Sequence, residues 1–240
     1  MNIEILHLVE GAKKAKGLTV IIDVFRAFTV ETYLMKNNAD RIIPVSSIDF
    51  AFSYKEKHPD VILCGERDGI MVEGFDYGNS PSQIEHADFT GKTVIHTTSA
   101  GTQGIANAVN AEEIIGGNLV AAKAIAKYIA QKNPVDVSLV CMGLAGQRNS
   151  DEDELAAIYI KSLLEGHPLE DLQHKIENLK QTEGAKFFDE ANKHVFPQRD
   201  FFLCTAVNSC DFILRLQKDP KTGFDYMERI NMPGTIDIEF

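Results

Sequence analysis

No stretch of this 240-residue chain reaches the run of about 18 apolar residues that a membrane-spanning helix needs. Nor does any N-terminal segment combine a basic region, an apolar run and a small-residue cleavage site. Membrane insertion and secretion are therefore not expected. The four cysteines, Cys64, Cys141, Cys204 and Cys210, lack CxxC spacing and sit in apolar runs, where cysteine behaves as a small hydrophobe. They read as reduced core residues of a cytoplasmic protein. Basic residues are scarce: 24 Lys and Arg against 35 Asp and Glu give a net charge of −11. Nucleic acid and acidic membrane surfaces reward clustered cations, so neither is an expected partner. An acidic ligand can still bind where a few arginines or a divalent cation reverse the field locally.

Several catalytic signatures are missing too. The seven histidines show no HxH or HExxH ligand spacing, and read as structural or solvated; only His96 stands beside a candidate turn. No Gly-Lys-Ser/Thr ending closes a glycine loop, which removes Walker-type nucleotide hydrolysis. Six residues separate Cys141 from Arg148, one too many for a cysteine-phosphatase loop, and Phe25 stands where a haloacid-dehalogenase-type phosphatase carries its second aspartate.

What is present is a large apolar content, 44% of residues, arranged as short strand-like runs alternating with helical periods. Leu18–Ile22, Val61–Cys64, Lys92–His96, Glu113–Ile115 and Asp136–Cys141 read as buried strands. Ala27–Lys36, Ile48–Lys57, Thr102–Val109 and Leu119–Gln131 read as helices between them. Such alternation predicts an α/β fold, a three-layer α/β/α arrangement with a mostly parallel or mixed sheet. After Ser150 the pattern turns helical, over 151–165, 169–180, 184–191 and 198–207, with a closing strand at Phe224–Ile230. One domain over 1–240 is expected, with two lobes meeting near 140–150 left open and Gly166-His-Pro168 as the hinge candidate.

Polar residues gather where strands end. Asp23-Val-Phe-Arg26 follows the first run and opens a helix, so a carboxylate and a guanidinium meet at one strand-to-helix turn. In open α/β sheets such turns form the ligand crevice, and helix N-termini there offer N–H groups to anions. Gly65-Glu66-Arg67 leads into a turn-rich segment containing Asp76, Asn79 and Ser80, and Thr97-Thr98-Ser99-Ala100-Gly101-Thr102 follows the strand that ends at His96. Either segment also reads as an ordinary surface loop or hydroxyl cap. Ser150-Asp-Glu-Asp-Glu154 precedes a long helix. Four acids exceed what capping requires, and Mg²⁺ takes one or two carboxylates plus waters and phosphate oxygens, making Glu152 and Asp153 candidates.

Taken together, DVFRAFT at 23–29, GERDGIMVEGFDYGNSP at 65–81, TTSAGT at 97–102 and SDEDELAA at 150–157 resemble the 2-phosphosulfolactate phosphatase family. Order and spacing match over these four blocks, while the C-terminal third carries no recognisable motif. The resemblance implies a magnesium-dependent acid phosphatase that hydrolyses 2-phosphosulfolactate to sulfolactate and phosphate, a step toward coenzyme M in methanogens. Phe25 and Phe28 replace the family's usual Leu and Thr, and Asp68 its usual Gly, changes that alter pocket shape and charge. On this reading Asp23, Arg26, Glu66 and Arg67 are catalytic. Asn79, Ser80, Thr97, Thr98, Gly101 and Thr102 bind a small anionic phosphorylated substrate, and Mg²⁺ is held by carboxylates drawn from Asp23, Glu66, Asp76, Glu152 and Asp153. Arg26 would hold the phosphate and Arg67 the sulfonate or carboxylate. The nucleophile is a metal-activated water or Asp23 itself. A phosphatase for another small phosphorylated acid, a non-catalytic sulfonate- or phosphate-binding protein, and a homo-oligomer all remain open.

Overall fold

Leu18-Thr-Val-Ile-Ile22 has no polar-out alternation, and every residue of the strand it forms is buried, as a central strand covered on both faces requires. The computed structural model describes residues 1–237; residues 238–240 of the unit expected over 1–240 lie outside the described residues. In chain order the strands are β1 (Asn2–His7), β2 (Gly17–Ile22), β3 (Arg41–Pro44), β4 (Ile62–Arg67), β5 (Ile70–Met71), β6 (Thr93–Thr97), β7 (Ala111–Gly117), β8 (Asp136–Cys141), β9 (Phe212–Lys218) and β10 (Asp225–Asn231). The helices are α1 (Leu8–Lys14), α2 (Ala27–Lys36), α3 (Ile48–Lys57), α4 (Pro81–Ile84), α5 (Gly101–Asn107), α6 (Ala122–Lys132), α7 (Asp151–Leu164), α8 (Leu172–Leu179) and α9 (Gln198–Cys204), with a 3-10 turn at Glu183–Phe188.

The strands form one sheet in the order β1-β8-β2-β7-β9-β10-β3-β6-β4-β5. Two parallel runs, β1-β8-β2-β7 and β3-β6-β4, are joined by antiparallel β9 and β10. The fold is thus α/β, a three-layer α/β/α arrangement around a mixed, mostly parallel sheet. The C-terminal third supplies the two bridging strands, and α7 packs against α6 and β8.

Several boundaries differ from the sequence reading, each for a local reason. The helix expected from Leu119 begins at Ala122, because the Asn118 side chain accepts the Ala121 N–H at 2.9 Å and holds the chain in a turn first. The segment expected to be helical over 184–191 closes only the 3-10 turn, and the two flanking helices shorten to α8 and α9. Strands β1, β3, β5 and β9 and the short helices α1 and α4 were not anticipated. β1 alternates exposed and partly buried residues at the sheet edge, and β3 is only four residues long. The four cysteines are all buried, and among the described residues no helix is long and apolar enough to cross a membrane.

Candidate active site

Asp23 leaves β2 and folds back onto α2: its Oδ1 accepts the Ala27 N–H at 3.0 Å, so the first acid of the crevice also caps the helix that follows. The start of α5 comes close to the same carboxylate. A Cβ at residue 101 would stand 2.7 Å from the Ala27 Cβ and 3.1 Å from Asp23 Oδ2, so only glycine lets the two turns approach this closely. Asp23 is 6% exposed. Burial, with Glu66 adding repulsion, pushes its carboxyl up to about 6, against the pull of the Ala27 N–H and Lys186.

Glu66, the last residue but one of β4, stitches two loops together. Its Oε1 accepts from the Ser99 N–H at 2.6 Å, and its Oε2 from the Gly69 N–H at 2.6 Å and the Ser99 hydroxyl at 3.1 Å. Asp153 does the same for the turns after β2 and β8, accepting from the Val24 and Gly143 N–H groups, each at 2.8 Å. Its carboxyl is held well above the usual range by burial and by neighbouring Glu152 and Asp23. Beside it burial pushes Glu152 up to about 7, Lys186 partly offsetting this, and the buried Glu152 Oε2 has no hydrogen-bond partner among the described residues.

Arg26 is 4% exposed. Its Nη1 donates to Asp200 Oδ2 and Val195 O, both at 2.8 Å, its Nη2 donates to Gly69 O at 3.1 Å, and its guanidinium lies 4.9 Å from the Phe196 ring centre. Asp200 is fully buried and also accepts from the Ser80 hydroxyl at 2.8 Å and the Ser82 N–H at 2.9 Å. Nε and the second Nη2 hydrogen of Arg26 carry no protein partner among the described residues. Asn79 is fixed from behind: its Oδ1 is 3.3 Å from His96 Nε2, and His96 Nδ1 is 2.8 Å from buried Glu31 Oε1.

A cavity of about 820 Å³ opens over these groups, and Asp23, Arg26, Glu66, Asn79 and Glu152 all line it. Behind that lining, Asp153 clamps two turns and Ser80 serves Asp200. Thr98 and Thr102 cap one another, each hydroxyl accepting the other's N–H at 3.2 and 3.1 Å. Three predicted residues, Asp76, Arg67 and Thr97, stand elsewhere. Asp76 is exposed, with its Oδ2 taken by Lys55 Nζ at 2.6 Å and the Leu63 N–H at 2.7 Å. Arg67 turns away to Glu66 O, Ser46 O and Thr97 Oγ1, so Thr97 meets an arginine side chain and not the cavity. Of the unusual residues, Phe25 and Asp68 line the cavity, whereas Phe28 belongs to the core.

Sequence reasoning missed Lys186, Arg148 and Asp200. Lys186 reaches the cavity from the 3-10 turn and is attracted by Glu152 and Asp23, while burial and the Arg26 charge lower its pKa. Asp200 lies in the first turn of α9 after Pro197, where an acid reads as dipole compensation. No signal in the chain distinguished it as an arginine partner.

Carboxyls with raised proton affinity and an acidic oxygen without a partner mark a place short of positive charge, which fits a divalent cation bound by oxygen ligands. Among the described residues these carboxylates do not bring three donor atoms within 4.8 Å. The arrangement suits Asp23 and Glu152 with waters more than a closed protein cage.

A carboxylate floor faced by a buried arginine and a lysine, at strand ends of an α/β sheet, is chemically suited to an enzyme that handles a small anion. A family model described as 2-phosphosulpholactate phosphatase matches residues 4–219. The chain is 31% identical over 202 residues to a probable 2-phosphosulfolactate phosphatase of Bacillus subtilis, covering 84% of this chain and 88% of that protein. It is 42% identical over 165 residues to one from Carboxydothermus hydrogenoformans, covering 68% of each chain. A third, from Thermotoga maritima, is 35% identical over 176 residues, covering 73% and 74%. The chain belongs to the 2-phosphosulfolactate phosphatase family and is a phosphatase, a hydrolase of phosphoric monoesters.

Proposed function

We propose that this chain, acting as a single α/β domain, hydrolyses 2-phosphosulfolactate to sulfolactate and inorganic phosphate with Mg²⁺. The observation that carries the reading is the meeting of Asp23, Glu66 and Glu152 with Arg26 and Lys186 around one cavity. A phosphomonoester dianion repels a nucleophile until its oxygens are neutralised. Arg26, held by Asp200 with two N–H groups unclaimed, is placed to bind the transferring phosphoryl group. Lys186, between Arg26 and the acids, receives a second anionic group of the substrate. Arg148, 67% exposed and 3.4 Å from Glu183, meets the sulfonate at the cavity mouth in place of Arg67.

Asp23 and Glu152 would hold the cation, which supplies Lewis-acid charge to phosphoryl oxygens and lowers the pKa of bound water. Glu66 keeps the two loops over the floor in register. A water nucleophile accords with Asp23 Oδ1 being engaged by the Ala27 N–H. The same reading places the chain in the cytoplasm, in a sequence of the coenzyme M biosynthesis type, and admits a homo-oligomer. A second reading, a different small phosphorylated acid as substrate, draws on Phe25 and Asp68, which give the cavity a bulkier and more acidic wall.

The test is phosphate release from 2-phosphosulfolactate and from a panel of phosphorylated hydroxy acids, with Mg²⁺ or with chelator. Full activity in chelator removes the cation, preference for another acid favours the second reading, and binding without release reduces the chain to a binding protein. Arg26→Ala should lose roughly 2 to 4 kcal/mol of transition-state stabilisation; parent-level turnover by the folded variant removes its role.

A further inference from the structure

Outside the cavity, one cluster combines nitrogen, sulfur and oxygen donors. His7 ends β1 and Cys141 ends β8, and the two are register partners in the parallel ladder, so their side chains stand on the same face of the sheet. Glu154, in the first turn of α7, meets that face. Its Oε2 lies 2.6 Å from His7 Nε2 and 3.9 Å from Cys141 Sγ, and one donor atom from each residue falls within 4.8 Å of the other two. We propose that His7, Cys141 and Glu154 form a binding site for a borderline-soft divalent ion, Zn²⁺ or substituting Co²⁺, distinct from the acid-lined cavity.

Donor chemistry sets the class of ion. Imidazole and thiolate favour zinc and cobalt and disfavour magnesium, whereas the all-oxygen cavity suits magnesium. The geometry is near what a tetrahedral ion needs: with bonds of about 2.0 to 2.3 Å, neighbouring donor atoms stand roughly 3.3 to 3.6 Å apart. His7 and Glu154 must separate by under about 1 Å, and Cys141 must close by a similar amount. The side chains that move have room, His7 being 37% and Glu154 41% exposed. Cys141 is fixed in the core at 1% exposure. The exposed side leaves a route for entry and a fourth position for water.

A half-exposed ion pair accounts for His7 and Glu154, but it calls for no sulfur at the third corner. On coordination the thiol releases its proton to solvent and His7 binds as neutral imidazole. The ion would brace β1, β8 and α7 together. Glu154 shares its helical turn with Glu152 and Asp153, so the brace would also steady the cavity floor. This assignment does not rest on the phosphatase reading.

The experiment is a Co²⁺ titration of the full-length, chelator-stripped protein in excess Mg²⁺. One equivalent should bind with a near-ultraviolet sulfur-to-cobalt charge-transfer band and tetrahedral visible bands, all displaced by Zn²⁺. His7→Ala and Cys141→Ala should each abolish the sulfur band, Glu154→Gln should weaken binding at least about tenfold, and Glu152→Gln should leave the band in place. Zn²⁺ should raise the unfolding temperature of the parent but not of His7→Ala. A cobalt spectrum without the sulfur band, a band surviving in Cys141→Ala, or one lost in Glu152→Gln overturns the assignment. Should Cys141→Ala fail to fold, the half-exposed His7→Ala decides alone: a retained band refutes the site.

Discussion

Neutralising the cavity floor should stabilise the cation-free protein at neutral pH, by an amount set by two carboxyls. Burial moves Asp23 from 3.8 to about 6 and Glu152 from 4.5 to about 7. Above about pH 4 the unfolded chain has released protons that the folded protein still holds. Stability contributed by these groups therefore falls as pH rises through the window from about 4 to 7, and the full cost stands above it. Between pH 5 and pH 8 the two carboxyls, which titrate together with Asp153, cost a few kcal/mol. Asp23→Asn with Glu152→Gln removes both charges and keeps an acceptor for the Ala27 N–H. In urea denaturation with chelator, the double variant should gain a few kcal/mol on the parent between those pH values, a relative midpoint shift on the order of 1 M at a slope of about 2 to 3 kcal/mol/M. Excess Mg²⁺ at pH 8 should close much of the gap by binding the folded parent alone. Parent and variant curves that stay parallel from pH 5 to pH 8 would refute buried, cation-seeking carboxyls at these positions.

Lys186→Met should reduce kcat/KM by about 100-fold or more, the scale of losing one oriented charge at a developing anion, measured as phosphate release; an unchanged value removes Lys186 from the substrate. Asp76→Asn should leave kcat/KM within about twofold and cost no more than about 1 kcal/mol, since it interrupts a half-exposed pair with Lys55. A large activity loss there would return Asp76 to the metal ligands. Gly101→Ala should cost about 1 to 3 kcal/mol through the 2.7 Å approach to the Ala27 Cβ and should also displace Asp23; parent-like melting and turnover would show that the two turns have slack.

Strands β2, β6 and β8 were legible because each is a short run rich in β-branched and apolar residues, and α3 because Ser47 caps it, accepting the Phe50 N–H at 3.2 Å. β9, Phe-Ile-Leu-Arg-Leu-Gln-Lys, mixes apolar and charged residues and gains its place by pairing with β10 and, at Arg215, with β7. The site shows the same division. Asp23, Arg26, Glu66 and Asn79, read from the turns that follow strands, and Glu152, read from the acidic start of α7, all line the one cavity. Arg67 faces away because β4 runs on to residue 67, past the Cys64 end read from the sequence, and consecutive residues of a strand face opposite ways. Glu152 and Asp153 are not so constrained, being neighbours at a helix start. Lys186 and Asp200 come from short turns far along the chain, brought in by tertiary packing that no local pattern encodes.

The position of the cavity follows from a reversal within the sheet. Three antiparallel steps, β7 to β9, β9 to β10 and β10 to β3, make the run β3-β6-β4 point opposite to β1-β8-β2-β7. In a flat sheet the carboxyl ends of β2 and β6 would lie at opposite edges. Yet Ser99, just past β6, donates to Glu66, and residue 101 abuts Asp23. Five strand steps separate β2 from β6, and at about 20 to 25° each their twist exceeds a right angle. The joints β7–β9 and β10–β3 are each held by one register pair, Ile115 with Arg215 and Met227 with Ile42, so the halves can splay further. Helix α2 fills the space between them and is buried from Ala27 to Met35. Phe28 sits where a Cβ at residue 116 would come within 2.6 Å, so glycine on β7 lets the sheet close on the helix. Both halves then deliver their strand ends to the N-terminus of α2, where Asp23 stands.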